Sequence, residues 1–125
     1  MLSIKNLSKV YAGKKRAVDN MNIDIEEGDF VAFIGTSGSG KTTALRMINR
    51  MIESTEGEIT INGKNIRQMN AVELRRSIGY VIQQIGLMPH MTVKDNIVLV
   101  PKLLKWSQEK KDQKAKELIL SLIHI

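Results

Sequence analysis

The chain has 125 residues, 42% of them apolar, 26% charged and 4% aromatic, with 19 basic against 13 acidic side chains and a formal charge of +6. This composition excludes wholesale disorder and a collagen-like repeat, and the lack of cysteine excludes a disulfide scaffold, a thiolate metal site and a cysteine nucleophile. No apolar run approaches the roughly 18 residues of a membrane span, and residues 1–5 lack the apolar core of a signal peptide, so a cytoplasmic protein that reaches a membrane only through a partner is expected.

In chain order, Leu2, Ile4 and Leu7 begin a first short strand. Met21, Ile23 and Ile25 alternate with Asn22 and Asp24, which predicts a second strand over 17–25. Residues 26–29 form a turn. Phe30-Val31-Ala32-Phe33-Ile34 is continuously apolar, as expected of a strand covered on both faces. A glycine-rich loop follows, then a helix over 41–51. Asn62-Gly63 signals a type I′ hairpin between residues 58–61 and a short return strand. The pattern predicts a helix over 71–77, an apolar strand over 78–82, a helix over 92–99 limited by Pro101, and a charged helix over 108–119. Strands alternating with helices indicate an α/β architecture, with antiparallel strands beside a parallel core in one mixed sheet. Half of the net charge falls in residues 102–117, with six Lys against three acids. That run reads as a solvated helix face. No Arg-rich stripe with interleaved aromatics accompanies it, so no nucleic acid is expected as a partner.

Gly35-Thr36-Ser37-Gly38-Ser39-Gly40-Lys41-Thr42-Thr43 satisfies the G-x-x-x-x-G-K-[ST] pattern between a predicted buried strand and a predicted helix. Glycines permit positive φ and let the backbone close around an anion. Successive N–H groups then form a phosphate nest, and the helix start adds unpaired N–H groups and its positive dipole end. Lys41 supplies a mobile cation to the β- and γ-phosphates. The Thr42 hydroxyl is suited to Mg²⁺, a hard cation, and Thr43 is placed for the α-phosphate. Nucleotide binding is expected; which nucleotide, and for what work, the loop does not say.

Beyond the loop, the chain resembles the ATP-binding subunit of ABC transporters, and more narrowly that of osmoprotectant importers for glycine betaine, carnitine and choline. The resemblance covers residues 1–119. Leu7-Ser8-Lys9-Val10-Tyr11 and the loop 35–43 resemble ABC cassettes generally, and Ile78-Gly79-Tyr80-Val81-Ile82-Gln83 resembles the strand into their Q-loop. Met47-Ile48-Asn49-Arg50-Met51-Ile52-Glu53, residues 83–93 and Val100-Pro101-Lys102-Leu103-Leu104-Lys105-Trp106 resemble the quaternary-amine branch. The implied fold is the N-terminal part of a P-loop ATPase cassette with the start of its helical subdomain. Tyr11, which by itself reads as a packing aromatic, is implied to stack on adenine. Gln83 and Gln84 are indistinguishable by composition; the family pattern selects Gln83, which is implied to meet Mg²⁺ and the attacking water. ATP and Mg²⁺ are the implied cofactors. The implied partners are a transmembrane permease, a second ATP-binding subunit and, indirectly, a periplasmic or extracellular solute-binding component, with the ATPase peripheral at the inner face of the membrane. Residues 85–91 would lie near the permease, although Leu87, Met88 and Met91 read equally well as core. His90 stands too early for the family's switch histidine.

The intact parent is thus expected to be a transport ATPase, and this chain to be inactive alone. No apolar strand ending in Asp-Glu occurs; residues 23–27 are too polar and too early, and no Leu-Ser-Gly-Gly-Gln is present. Residues 120–125, Leu-Ser-Leu-Ile-His-Ile, depart from the family pattern. Back-translated as CTG TCT CTT ATA CAC ATC, they resemble a transposase-end sequencing adapter, so a non-native tail is expected there. A DNA-associated ABC-type ATPase fragment and a standalone nucleotide-binding module are the competing readings.

Overall fold

The computed structural model describes residues 1–13, 15–82 and 86–123. The chain divides into two compact units, Met1–Tyr80 and Val81–Ile125.

The first unit is built on a four-stranded antiparallel sheet in the order β2-β1-β3-β4. Its strands are β1 (Leu2–Tyr11), β2 (Lys15–Ile25), β3 (Glu56–Ile61) and β4 (Lys64–Asn65). Ile4 lies between Ile23 of β2 and Ile59 of β3. The apolar positions of β1 slip from even to odd between Ile4 and Leu7 because the register with β2 shifts there. Asn6, at φ 49°, makes the bulge. Its N–H donates to Asn22 Oδ1 at 2.8 Å, so the bulged backbone is not left unpaired. Opposite it, Gly57 has φ 80°, and a Cβ there would stand 2.3 Å from the Asn6 carbonyl oxygen. The expected hairpin turn is present, with Asn62 and Gly63 both at positive φ.

Helix α1 (Lys41–Ile48) and helix α2 (Ala71–Ser77) cover the sheet. Ala44 and Met47 of α1 and Leu74 of α2 join Ile4, Leu7, Val18, Ile59 and Ile66 in one buried cluster. Helix α1 stops three residues short of the expected 51. Arg50 turns left-handed at φ 49°, its N–H donates to the Met47 carbonyl at 3.0 Å, and Met51 N–H donates to the Arg46 carbonyl at 2.9 Å. This is a Schellman end made without glycine. Its cost is offset by side chains: Arg50 donates to the Ile66 and Met69 carbonyls, and Arg75 donates to the Arg50 carbonyl at 2.6 Å.

The two apolar runs expected as strands, residues 30–34 and 78–82, join no ladder. Phe30 and Ile34 are 96% and 94% exposed, and Val81 is 95% exposed; Phe33 alone of the first run packs on the core. All pairing among the described residues is antiparallel, so the expected parallel core is not formed by them. A buried strand requires neighbours that take up its N–H and C=O groups, and the described residues supply none for these runs.

The second unit contains α3 (Val93–Leu103) and α4 (Gln108–Ile123). The Thr92 hydroxyl accepts from Asp95 N–H at 3.1 Å and donates to the Asp95 carboxylate at 2.6 Å, capping α3. Asn96 accepts from Met88 N–H at 2.7 Å and donates to the Met88, Met91 and Thr92 carbonyls, which folds the preceding turn onto the helix. Helix α3 runs through Pro101 rather than ending before it. Lys105, at φ 56°, closes a second Schellman end: its N–H donates to Lys102 and that of Trp106 to Pro101, each at 3.0 Å. Helix α4 continues to Ile123, past the expected 119. Lys94 and Asp112 join the two helices at 2.7 Å. No described helix is long and apolar enough to cross a membrane.

Candidate functional site

The glycine-rich loop is a tight turn leading into α1. Gly38 and Gly40 have φ 82° and 93°, and Ser39 N–H donates to the Thr36 carbonyl at 3.2 Å. Gly40 is required twice over. It holds the left-handed conformation at the start of α1, and a Cβ would meet the Ala17 carbonyl oxygen at 2.2 Å. A Cβ on Gly35 would meet Ser39 Oγ at 2.5 Å and Ser39 Cβ at 3.1 Å, so the loop packs closely on itself there.

No side chain caps α1 among the described residues, and its first turn contains no acid. The N–H groups of Lys41, Thr42 and Thr43 therefore have no intrahelical acceptor, and the helix dipole favours an anion beside them. The Lys41 ammonium donates to the Gly35 carbonyl at 2.7 Å, the Thr36 carbonyl at 2.8 Å and Ser39 Oγ at 3.1 Å. The loop thus folds around the Lys41 ammonium at the start of α1. Thr42 is exposed and Thr43 half-buried at the second and third positions of α1.

Ser39, Gly40 and Lys41 form one wall of a cleft of about 630 Å³ whose other walls include Ala17, Val18, Met21 and Phe33. Arg16 and Asp19 also line the cleft, paired at 2.6 Å. The hydrogen bond from Arg16 to Asp19 and their opposite charges raise the affinity of this guanidinium for its proton. No local pattern marks residues 16–19 as part of the site; only the path of β2 beside the loop brings them there.

Tyr11 is not among the residues that line the cleft. It closes the β1–β2 ladder opposite Lys15, with 41% of its surface exposed. Gln83 lies outside the described residues. The described residues contain no group of three or more His, Cys, Asp or Glu placed to hold a metal ion.

A glycine turn that opens into an uncapped helix around a lysine defines a phosphate-binding loop protein. The chain belongs to the ABC transporter family, whose description matches residues 18–123. It is similar to the carnitine transport ATP-binding protein OpuCA of Listeria monocytogenes, with 63% identity over 119 residues, 95% of this chain and 30% of that protein. It is 58% identical to the glycine betaine/carnitine/choline transport ATP-binding protein OpuCA of Bacillus subtilis, over 95% of this chain and 31% of that one. With the osmoprotectant import ATP-binding protein OsmV of Salmonella typhimurium it shares 50% identity, over 95% and 32% of the two chains. The chain therefore spans about a third of the length of these curated relatives. Among solved structures, the ATP-binding cassette MJ0796 in a dimeric post-hydrolysis state bound to ADP and Pi matches at TM-score 0.77 and 36% identity, over 94% of this chain and 55% of that one. The fold is accordingly the N-terminal part of an ABC ATPase cassette.

Proposed function

We propose that the chain is the ATP-binding part of an importer ATPase that energises uptake of osmoprotectants such as glycine betaine, carnitine or choline. The observation that carries this reading is the Lys41 ammonium held at the mouth of an uncapped helix, within a sequence whose relatives are named for those solutes. The triphosphate would lie along residues 35–43. Lys41 would exchange its bonds to the loop carbonyls for bonds to the β- and γ-phosphates, and Thr43 would face the α-phosphate. Tyr11 would stack on the adenine, an aromatic face giving affinity more than base selectivity.

The donor set fits Mg²⁺ in part. Thr42 offers a hard hydroxyl oxygen, and Gln83 would add an amide oxygen. With no acidic cluster among the described residues, the remaining ligands would be phosphate oxygens and water, the usual habit of this cation. When bound, Mg²⁺ neutralises charge on the β- and γ-phosphates. A permease, a second ATP-binding subunit and a solute-binding component would complete the importer, holding this part at the inner face of the membrane.

Phosphoryl transfer relies on positioning and electrostatic stabilisation. The 125 residues include neither an apolar strand ending in Asp-Glu nor a Leu-Ser-Gly-Gly-Gln signature. The chain by itself would bind ATP without turning it over. Calorimetric titration and a phosphate-release assay test both parts. Lys41→Ala should weaken ATP binding about 10- to 150-fold, the value of losing charge-assisted bonds worth roughly 1.5–3 kcal/mol. Unchanged affinity would remove residues 35–43 as the phosphate site. Mg²⁺-dependent release that vanishes in Lys41→Ala would show a catalytic base within these residues and overturn the second part.

A further inference from the structure

The end of β1 is irregular where it carries Tyr11. Its register with β2 shifts between Lys9 and Val10, and Tyr11↔Lys15 is the last pair. The ladder holds this end weakly, yet a second set of contacts holds it from the other side. Thr55 N–H donates to the Ser8 carbonyl at 2.9 Å. Val10 N–H donates to Thr55 Oγ1 at 3.0 Å. The Lys9 ammonium donates to the Glu53 carbonyl at 2.6 Å. From that anchored position the same ammonium lies 5.3 Å from the centroid of the Tyr11 ring, within the range at which a cation is attracted to an aromatic face.

We propose that Lys9 is a positioning residue: anchored on the Glu53 carbonyl, its ammonium holds the Tyr11 ring in the orientation that stacks on the base of a bound purine nucleotide. The proposal rests on the nucleotide reading of Tyr11 given above. Its physical content is preorganisation. A half-exposed tyrosine at a strand end has rotamer freedom that base stacking must remove. A cation fixed to one face removes that freedom beforehand and leaves the opposite face to the base. Lys9 need not touch the nucleotide, so its removal should affect the base and not the phosphates.

The test compares the wild-type chain with Lys9→Met, which keeps an apolar stem and loses the charge, and Lys9→Arg, which restores a cation. The chain has two tyrosines, so selective labelling resolves the Tyr11 ring by NMR without any ligand. Lys9→Met should shift the Tyr11 ring signals, and Lys9→Arg should return them most of the way. ATP affinity should fall about two- to fivefold in Lys9→Met, the size of an exposed cation–π contact, while affinity for inorganic tripolyphosphate stays unchanged. In a Tyr11→Ala background, Lys9→Met should have no further effect on ATP. Unmoved Tyr11 signals would overturn the proposal, as would equal losses for ATP and tripolyphosphate, or a Lys9 effect that survives Tyr11→Ala. Lys9-dependent Tyr11 signals in a wild-type chain that binds no ATP would support the Lys9–Tyr11 pairing and overturn its nucleotide role.

Discussion

In the Met1–Tyr80 unit, Ile4, Leu7, Met47 and Leu74 are at most 1% exposed. In the Val81–Ile125 unit the only buried apolar side chain among the described residues is Ala115, and none of α3 is buried. Yet the second unit is no less regular: both its helices are long. The difference lies in what holds each region. The first is organised by apolar contacts between residues far apart in sequence, which is why its sheet needs bulges to keep Ile4 and Leu7 facing the same core. The second is organised by polar bonds that span a few residues: the Thr92 cap, the Asn96 clasp and the Schellman end at Lys105, with one ion pair between its helices. Residues that position a ligand benefit from the first kind of support. The phosphate loop accordingly opens into the helix whose Ala44 and Met47 are locked in that core.

The sharpest test of this contrast is a matched pair of truncations. Leu74→Ala should destabilise the Met1–Tyr80 unit by about 2–5 kcal/mol, the usual cost of a cavity at a fully buried leucine. Leu103→Ala, at a position 70% exposed, should cost no more than about 0.5 kcal/mol. Hydrogen exchange resolved by residue would measure both, and similar losses would break the comparison. Next in size is the cap of α3. Thr92→Ala should cost about 0.5–2 kcal/mol, read from faster exchange of the first-turn amides of that helix; unchanged exchange would show that apolar contacts support it after all.

The two Schellman ends sharpen the contrast further, since both place a long side chain where glycine is favoured. Lys105→Gly should stabilise by about 1 kcal/mol by removing the left-handed penalty. Arg50→Gly should instead destabilise, because the bonds to the Ile66 and Met69 carbonyls go with the side chain. Paired thermal melts would show the opposite signs.

The smallest effect is the pH dependence of the ion pair between α3 and α4. The hydrogen bond with Lys94 holds the Asp112 carboxyl below its ordinary 3.8, and the same bond raises Lys94 above its ordinary 10.5. The contribution of Asp112 is therefore present above 3.8 and lost as pH falls through its lowered value; that of Lys94 is present below 10.5 and lost as pH rises through its raised value. Both groups are exposed, so solvent and salt screen the pair. Lys94→Met should flatten only these acid and alkaline edges in a pH series of melting temperatures. A drop at neutral pH comparable to that of Leu74→Ala would mean the pair carries the unit.

Much of the site is local in sequence. The glycine spacing around Lys41 favours a turn with positive φ at Gly38 and Gly40, and α1 follows it at once. The Asn62-Gly63 turn is legible for the same reason: it depends on the backbone preferences of two adjacent residues. Residues 30–34 were legible only as apolar. Whether such a run becomes a ladder strand depends on partners, and hydrophobicity does not specify partners.

Other features depend on contacts that cross the chain. The bulge at Asn6, the approach of Ala17 to Gly40 and the anchoring of Lys9 on Glu53 beside Tyr11 leave no periodic trace, because each is settled by which atoms meet between segments distant in sequence. The sequence by itself determined that a glycine-rich turn would open into a helix and which lysine that turn would enclose, since the pattern is written in nine consecutive residues. Tertiary structure alone decided which side chains of β2 would share the cleft with that loop, because a strand's neighbours are selected by register and packing and not by the residues of the strand itself.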